Sequence, residues 1–222
     1  MNLALKEGVI ARQPQRLRTR ARFDQILDSA QTLLLDEGLS GFSIPVLADR
    51  LGYTRASIYK FFPTPYAVLN ELVQRHLGLL EQRLTRSVAR TMAQPWPEAM
   101  HAAVFEAVEF YNANPMARLL ILGGPATHDS YRALELTIQR LGGLVRQLLE
   151  PRGIHLPTAP DVATLLVETG TGCFRVSQFL HGRITPEYRD EAAKAMGAYL
   201  SLYAVQQNIL PLGQAAPAPC YQ

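Results

Sequence analysis

The residues best suited to recognising a partner molecule lie in one short segment, residues 54–60, which reads TRASIYK. A helical register that turns Ile58 inward leaves five side chains facing outward: Arg55, Ala56, Ser57, Tyr59 and Lys60. Arginine, serine, tyrosine and lysine hydrogen-bond to phosphates and base edges, and a small alanine permits close approach. The segment is therefore predicted to lie against nucleic acid, and an ordinary solvated helix face is the alternative.

Two capped helices joined by a glycine turn are predicted to position this segment. Ser43 is expected to cap a helix over residues 44–51, in which Pro45 fits because first-turn amides have no intrahelical partner. Gly52 suits the left-handed backbone that ends a helix, and Thr54 is expected to cap the next one. This layout is that of a helix-turn-helix, although a plain helical hairpin has a similar pattern. The predicted apolar stripe of the first helix consists of Val46, Leu47 and Leu51.

Positive charge is concentrated near the N-terminus, although the net charge is only +3. Residues 1–22 carry six basic residues and one acidic residue, whereas residues 61–222 carry thirteen of each. This distribution is expected of a chain whose N-terminal part contacts nucleic acid. A flexible basic arm that only aids solubility is the alternative.

The rest of the chain is predicted to be helical, because apolar residues recur at spacings of three and four and strand signals are nearly absent. The first helix is expected near residues 20–36, and a long helix is expected from Thr64 and Pro65 to about Met92. Further helices are expected over 97–112, 115–122, 130–150, 161–181 and 185–209. The predicted inner face of the first helix comprises Phe23, Ile26, Leu27, Ala30, Leu33 and Leu34.

Several functional classes are disfavoured. Cys173 and Cys220 show no spacing typical of a disulfide framework or of a zinc site, so no metal and no cofactor is expected. The motifs of serine hydrolases, zinc peptidases, P-loop proteins and dinucleotide-binding folds are missing, so an enzyme is not expected. Neither a signal-peptide core nor a run of about 18 apolar residues is present, and a cytoplasmic protein without membrane contact is predicted.

Residues 26–72, ILDSAQTLLLDEGLSGFSIPVLADRLGYTRASIYKFFPTPYAVLNEL, resemble the DNA-binding domain of the tetracycline-repressor (TetR) family. The resemblance implies an all-α protein with an N-terminal three-helix, homeodomain-like helix-turn-helix domain and a C-terminal helical ligand-binding and dimerisation domain. The expected boundaries are 1–19 for a basic arm, 20–66 for the DNA-binding domain with its helix-turn-helix at 43–62, 67–210 for the helical domain and 211–222 for a disordered tail. The matching positions are Ile26, Ala30, Leu33, Gly38, Phe42, Ser43, Ala48, Gly52, Thr54, Ile58, Tyr59, Phe62, Ala67 and Leu69.

The resemblance also implies which residues touch double-stranded operator DNA. Phe61 stands where the family often has His or Tyr, and Pro65 stands where it often has Lys, so two phosphate contacts are expected to be missing. Arg18, Arg20 and Arg22 are hypothesised to compensate by reaching phosphates or the minor groove. The implied DNA contacts are Arg20, Ser43, Thr54, Arg55, Ala56, Ser57, Tyr59, Lys60 and Thr64.

A small-molecule effector and a homodimer follow from the same resemblance. The effector is expected to be mainly apolar and to contact Trp96, His101, Phe105, Phe110, Met116, Thr169 and Cys173, with Glu109, Tyr111, His128 and Phe174 as a wider set. The dimer is expected to use the last two helices through Leu166, Cys173, Val176, Leu180, Met196, Tyr199 and Tyr203. The alternative for both sets is ordinary core packing.

These features predict a dimeric transcriptional regulator, expected to be a repressor. Ligand binding would shift the population toward a conformer in which the long helix beginning at Pro65 swings and changes the spacing of the reading helices. The alternative is a helical dimeric binding protein whose helix-turn-helix serves as a scaffold or a partner-docking surface.

Overall fold

The computed structural model describes the backbone of residues 10–123 and 128–206 and the side chains of residues 10–123 and 138–204. Within those residues every regular secondary-structure element is a helix, which confirms the predicted all-α class. A π-helical turn, Arg118–Leu122, continues α6, and a 3₁₀ turn, Glu150–Arg152, follows α7. The helices are α1 Leu17–Gly41, α2 Ile44–Leu51, α3 Arg55–Tyr59, α4 Pro65–Arg90, α5 Trp96–Ala113, α6 Pro115–Ala117, α7 His128–Leu149, α8 Val162–His181 and α9 Pro186–Gln206.

An aromatic cluster holds the first three helices together. The rings of Phe23 and Phe62 are stacked with centroids 4.7 Å apart, and Phe61 meets Phe23 edge-on at 5.9 Å. Ile58 of α3 is fully buried in the same core. All six residues predicted on the inner face of α1 are buried as well. Burial of each large apolar side chain contributes about 1.5–3 kcal/mol, so this core fixes α3 against α1.

The predicted caps and turn of the helix-turn-helix are confirmed. The Ser43 hydroxyl accepts a hydrogen bond from the Val46 amide at 3.4 Å, and the Thr54 hydroxyl accepts one from the Ser57 amide at 3.3 Å. Gly52 ends α2 with φ 64° and ψ 30°, a left-handed conformation. Local sequence therefore sets where both helices begin and where the chain turns between them.

Two local predictions were wrong. Helix α1 begins at Leu17 rather than near Arg20, and it continues to Gly41 after an interruption at Gly38. Val46 is 43% exposed, because in a helix that begins at Ile44 it lies on nearly the opposite side from the buried residues of α2. The buried residues of α2 are Ile44, Leu47 and Ala48.

The long helix α4 takes part in two hydrophobic cores. Val68 and Leu72 pack in the N-terminal core with α1–α3, whereas Leu77 and Leu80 pack in a second core with α5, α7, α8 and α9. A rigid helix that contributes to both cores transmits displacement between them. The domain boundary expected at residues 66 and 67 therefore falls at the start of a helix that both cores share.

Helix α6 and the π-helical turn after it form a second connection between the two cores. Met116 is buried in the N-terminal core, while Ile121 and Leu122 are buried in the second core. Leu120 packs against both. The sequence predicted one helix over residues 115–122, and the structure divides it into a short α-helix and a π-helical turn.

The second core is closed by tight packing of α8 on α9. A Cβ atom added to Gly170 would lie 2.5 Å from the Met196 sulfur, so the two helices approach more closely than a side chain at position 170 would allow. The Asn112 side chain donates to the Ile184 carbonyl at 2.8 Å and accepts from the Ile184 amide at 3.0 Å. These two hydrogen bonds join the end of α5 to the loop between α8 and α9.

Some sequence predictions concern residues outside the described part of the chain. They include residues 1–9 of the arm, the His128 side chain, Cys220 and the tail 211–222. Among the described helices, none combines the length and the apolar character that a membrane span requires.

Replacing Gly52 with alanine is expected to destabilise the protein by about 1–2 kcal/mol. A Cβ atom at Gly52 meets nothing within 4 Å, so the loss comes from the left-handed backbone alone. Gly78 is the matched control because it lies inside α4 with equally open space and no positive φ, and Gly78→Ala should stabilise by up to about 1 kcal/mol. Urea denaturation measures both free energies of unfolding, and effects of the same sign would contradict this account.

Candidate nucleic-acid interface and apolar cavity

Helix α3 exposes most of the side chains predicted to touch DNA. Ile58 is fully buried, whereas Tyr59 is 42% exposed and Arg55, Ala56 and Lys60 are also exposed. Neither Arg55 nor Lys60 forms an ion pair with another residue in the described part of the chain. Two uncompensated positive charges and a tyrosine therefore lie together on one exposed surface.

Three of the predicted DNA contacts are helix caps. Besides Ser43 and Thr54, Thr64 accepts a hydrogen bond from the Ala67 amide at 3.2 Å and so begins α4. The caps fix the orientation of these side chains at helix N-termini, which favour anions. Ser43 and Thr54 use their oxygen atoms as acceptors in the caps, and each hydroxyl can still donate to a phosphate oxygen.

The start of α1 and the residues before it lie next to this surface. The Arg12 amide donates to the Phe61 carbonyl at 2.7 Å, and Ala11 is buried in the N-terminal core. Residues 11 and 12 of the basic segment therefore pack beside Phe61, just after α3. Arg20, a predicted DNA contact, lies 3.8 Å from the Asp24 carboxylate, which partly compensates its charge.

Arg22 has different neighbours. Its guanidinium carbon lies 4.2 Å from the centroid of the Tyr53 ring, and its Nη2 donates to the Ser57 hydroxyl at 3.4 Å. The Tyr53 hydroxyl in turn donates to the Gln25 side chain at 2.6 Å. Tyr53 was not predicted as a functional residue. An aromatic residue directly after the turn glycine was the signal in the sequence, but its contact with α1 depends on tertiary packing.

The junction between α1 and α4 is polar. Arg75 pairs with Asp28 at 2.6 Å and with Asp24 at 3.2 Å. His76 is buried, and one ring nitrogen lies 3.1 Å from the Gln31 side-chain oxygen. Burial, and to a lesser extent the nearby Arg75 cation, lowers the pKa of His76, so its ring is neutral at pH 7. These contacts tie α4 to the helix that supports α3.

An apolar cavity of about 80 Å³ lies among α4, α5, α7, α8 and α9. Among the described residues that line it, Tyr111 and Thr171 carry hydroxyl groups and none carries a charge. The wall is formed by Leu80, Leu84, Val88, Met100, Ala103, Val104, Ala107, Tyr111, Leu141, Leu144, Val145, Leu148, Val167, Gly170, Thr171, Phe174 and Met196. An apolar site of this kind favours neutral molecules over ions, because burying an unpaired charge there costs much free energy.

None of the seven residues first predicted to bind the ligand lines this cavity, although Tyr111 and Phe174 of the wider set do. Trp96 and His101 line a groove toward α9, and Phe105 lines a neighbouring groove that also includes His101. The cavity wall is instead mostly aliphatic. In sequence, such residues cannot be distinguished from ordinary core residues.

The other four residues predicted to bind the ligand lie elsewhere in the structure. Phe110 is buried beside Tyr111, with ring centroids 5.8 Å apart, and Met116 belongs to the N-terminal core. The Thr169 hydroxyl donates to the carbonyl of Leu165 at 2.9 Å. The thiol of Cys173 is not oxidised, and no group of three His, Cys, Asp or Glu side chains in the described residues is placed to hold a metal ion.

One end of the cavity is near polar groups of α8. Burial, and to a lesser extent the nearby Glu168 carboxylate, raises the pKa of Tyr111, so its hydroxyl stays protonated. Glu168 and Arg175 lie 4.0 Å apart, and the Glu168 Oε1 and Arg175 Nε atoms are buried without a hydrogen-bond partner among the described residues.

Helices α8 and α9 present an exposed apolar face. Leu166 and Met196, predicted at a dimer interface, lie inside the protomer core because α8 packs on its neighbours with that side. Cys173, Tyr199 and Tyr203 are half-buried, and the two tyrosine hydroxyls lie 3.5 Å apart. The exposed apolar side chains of these two helices range from 44% exposed at Leu165 to 87% at Phe179, and the others are Val176, Leu180 and Leu202.

Residues 26–72 match the family described as bacterial regulatory proteins, tetR family. No curated protein sequence matches the chain. A TetR-family transcriptional regulator from Streptomyces coelicolor has a similar structure, with a TM-score of 0.63 and 21% identity over 82% of this chain and 99% of that chain.

SmeT, the repressor of the Stenotrophomonas maltophilia multidrug efflux pump SmeDEF, is also similar, with a TM-score of 0.60 and 19% identity over 90% of this chain and 99% of that one. The SmeT–triclosan complex gives a TM-score of 0.56 at 18% identity, again over 90% of this chain and 99% of that chain. At these identities the structures show a common fold. The match to the tetR family is thus confined to residues 26–72, and the likeness in fold extends over most of the chain.

Proposed function

We propose that this protein is a cytoplasmic, dimeric transcriptional repressor that binds operator DNA and is released by a small, neutral, mainly apolar ligand. The observation that carries the proposal is the surface of α3 and its C-cap, where Arg55, Tyr59 and Lys60 are exposed while Ile58 is buried. The proposal includes no catalytic activity.

The proposed DNA contact uses α3 in the major groove. That groove of B-form DNA is about 12 Å wide and admits a helix. Arg55, in the first turn, is assigned to base edges, and Lys60, at the opposite end of α3, is assigned to a phosphate. Ser43 and Thr54 add hydroxyl donors from the starts of α2 and α3.

The proposed dimer uses the outer face of α8 and α9. Leucines, a valine and a phenylalanine exposed by 44% to 87% on adjacent helices form an apolar surface that a folded protein seldom leaves to water. Pairing two copies through this face supplies two recognition helices, and a dimer engages successive major grooves when those helices are about 34 Å apart.

The proposed effector site is the cavity of the second core. Its position is suited to regulation because Leu80 of α4 lines the cavity, while Leu72 of the same helix packs in the N-terminal core. A ligand that favours a different position of α4 would shift the population toward conformers with a different spacing of the reading helices. That SmeT, a repressor of similar fold, forms a complex with triclosan supports a small-molecule effector here.

Arg55→Ala and Lys60→Ala are expected to weaken DNA binding in different ways. Arg55→Ala removes a base contact. It should reduce the preference for a duplex selected by the wild-type protein over an unrelated duplex by about 5- to 100-fold. Lys60→Ala removes a phosphate contact. It should weaken binding to both duplexes equally and reduce the salt slope, which is the slope of the logarithm of the binding constant against the logarithm of the salt concentration, by about 1. Fluorescence anisotropy at several salt concentrations measures both effects.

Arg86→Ala is the matched control for these variants, because it removes one exposed arginine from α4 in the second domain. It should bind both duplexes as the wild-type protein does. A wild-type protein that prefers no duplex would favour the alternative in which the helix-turn-helix is a scaffold or docking surface. Specific binding that survives both substitutions would contradict the assigned contacts.

Val176→Glu is expected to convert the dimer to a monomer and to weaken operator binding. Two glutamates brought together in an apolar interface would be desolvated without a partner. Leu79→Glu is the matched control, because Leu79 is 46% exposed on α4, which contributes nothing to the α8–α9 face. Sedimentation velocity at micromolar concentration gives the oligomeric state, and an unchanged dimer would place the interface elsewhere.

Ala107→Leu is expected to fill the cavity and abolish the response to ligand without loss of DNA binding. Benzyl alcohol, benzoate and benzylammonium serve as probes of similar size that are neutral, negatively charged and positively charged, respectively. The neutral alcohol should raise the melting temperature of the wild-type protein and lower its DNA affinity, whereas the two ions should do neither. Ala113→Leu, at an exposed position on the same helix, should keep the response, and equal responses to all three probes would contradict an uncharged site.

A further inference from the structure

We propose that Arg22 and Tyr53 form a preorganised phosphate-binding unit beside the recognition helix, in which Arg22 contacts a DNA phosphodiester and Tyr53 is its positioning residue. The inference rests on the proposed DNA-binding function and adds to it a contact from α1. The sequence alone grouped Arg22 with Arg18 and Arg20 as equivalent arm residues. The structure distinguishes these three arginines.

The first observation is that Arg22 is held in place by neutral groups. Its guanidinium lies over the Tyr53 ring at 4.2 Å, and its Nη2 donates to the Ser57 hydroxyl at 3.4 Å. Tyr53 is itself fixed, since its hydroxyl donates to Gln25 at 2.6 Å and its amide donates to the Ala48 carbonyl at 3.0 Å. Most of the conformational freedom of the arginine is therefore lost before DNA arrives, which lowers the entropic cost of binding.

The second observation is that the charge of Arg22 is not compensated. Arg20 lies next to Asp24, and Arg50 pairs with Asp36 at 2.8 Å. Arg22 forms no ion pair with the residues whose side chains are described, and it is exposed. A positive charge held by an aromatic ring and a hydroxyl, without a carboxylate, remains available to an external anion.

The third observation concerns the remaining hydrogen-bond donors. A guanidinium group carries its five N–H bonds in its own plane, so stacking on Tyr53 occupies a face and leaves the edges open. Ser57 accepts one of the two Nη2 hydrogens, and the other Nη2 hydrogen, together with the neighbouring N–H that it faces, leaves one edge available for a bidentate contact with phosphate oxygens.

The position of this unit favours a phosphate over a base. Arg22 belongs to α1 and reaches the first turn of α3 from the side, where it touches Ser57. The Ser57 hydroxyl also donates to the Thr54 carbonyl at 2.7 Å, which links the arginine to the cap that begins α3. A helix lying in the major groove has the sugar–phosphate backbone on either side, and a side chain beside that helix meets this backbone first.

The test compares Arg22→Ala, Tyr53→Leu and Tyr53→Phe with the wild-type protein. The probes are a duplex selected by the wild-type protein from random sequence and an unrelated duplex of the same length, titrated by fluorescence anisotropy at several salt concentrations. Arg22→Ala should weaken binding to both duplexes by about 5- to 10-fold and reduce the salt slope by about 1, because one phosphate contact is lost.

The two tyrosine variants separate positioning from structure. Tyr53→Leu removes the ring face and should weaken binding to both duplexes by about 2- to 5-fold while the salt slope is largely kept, since Arg22 can still reach the phosphate after it is ordered. Tyr53→Phe keeps the ring and should restore affinity to within about 2-fold of wild type. Thermal unfolding of each variant verifies that the domain remains folded.

The control is again Arg86→Ala, which removes the same charge from the second domain. An Arg22→Ala variant that behaves like this control would overturn the phosphate contact. A loss of preference for the selected duplex with unchanged affinity for the unrelated one would make Arg22 a base-reading residue and overturn the inference as well. Equal affinity of Tyr53→Leu and wild type would remove Tyr53 from the unit. If the wild-type protein binds neither duplex, the proposed function itself fails, and that outcome is distinct from the others.

Discussion

The packing of Phe61 and Phe62 on Phe23 is the interaction on which the rest of the interface depends. Helix α3 has five residues, which is too short for a helix to be stable in water by itself. The buried Ile58 and the two phenylalanines after α3 hold this helix in place. Phe62 stacks on Phe23 of α1, and Phe61 meets the same ring edge-on. Because these residues occupy one side of the segment, its polar side chains can face only outward. The same packing brings Ser57 close enough to α1 to meet Arg22.

A second constraint is the sharing of elements between the two cores. Helix α4 contributes to both, and the segment from Met116 to Leu122 does so again within seven residues. The ion pairs of Arg75 with Asp24 and Asp28 then fix α4 to α1. A close-packed interior transmits small displacements because it has little free volume to absorb them. The cavity lies among helices that include α4, so a molecule bound there is well placed to affect the N-terminal domain.

Prediction succeeded where short-range rules control the structure. Caps at Ser43, Thr54 and Thr64 and the left-handed turn at Gly52 follow from side chains within three residues and from glycine stereochemistry. The inner face of α1 follows from helical periodicity. The ligand contacts were predicted from a different signal, conspicuous aromatic and polar residues, and they remain a prediction; none of the seven lines the apolar cavity. The cavity is lined mainly by aliphatic side chains of five helices, and whether such a residue faces a void or a neighbour depends on how those helices pack.

The sequence by itself determined the helical class, the helix-turn-helix with its caps, and the outward register of Arg55, Tyr59 and Lys60, because these depend on residues close together in the chain. Tertiary structure decided the rest. It placed Leu166 and Met196 inside the protomer, left Val176 and Phe179 on its surface, and separated Arg22 from Arg20. The contact of Arg22 with Tyr53 joins residues 31 positions apart on different helices, and only the packing of α1 against the turn after α2 brings them together. Distances between residues on different helices depend on how those helices pack to bury the core, and the periodicity of the sequence does not predict that packing.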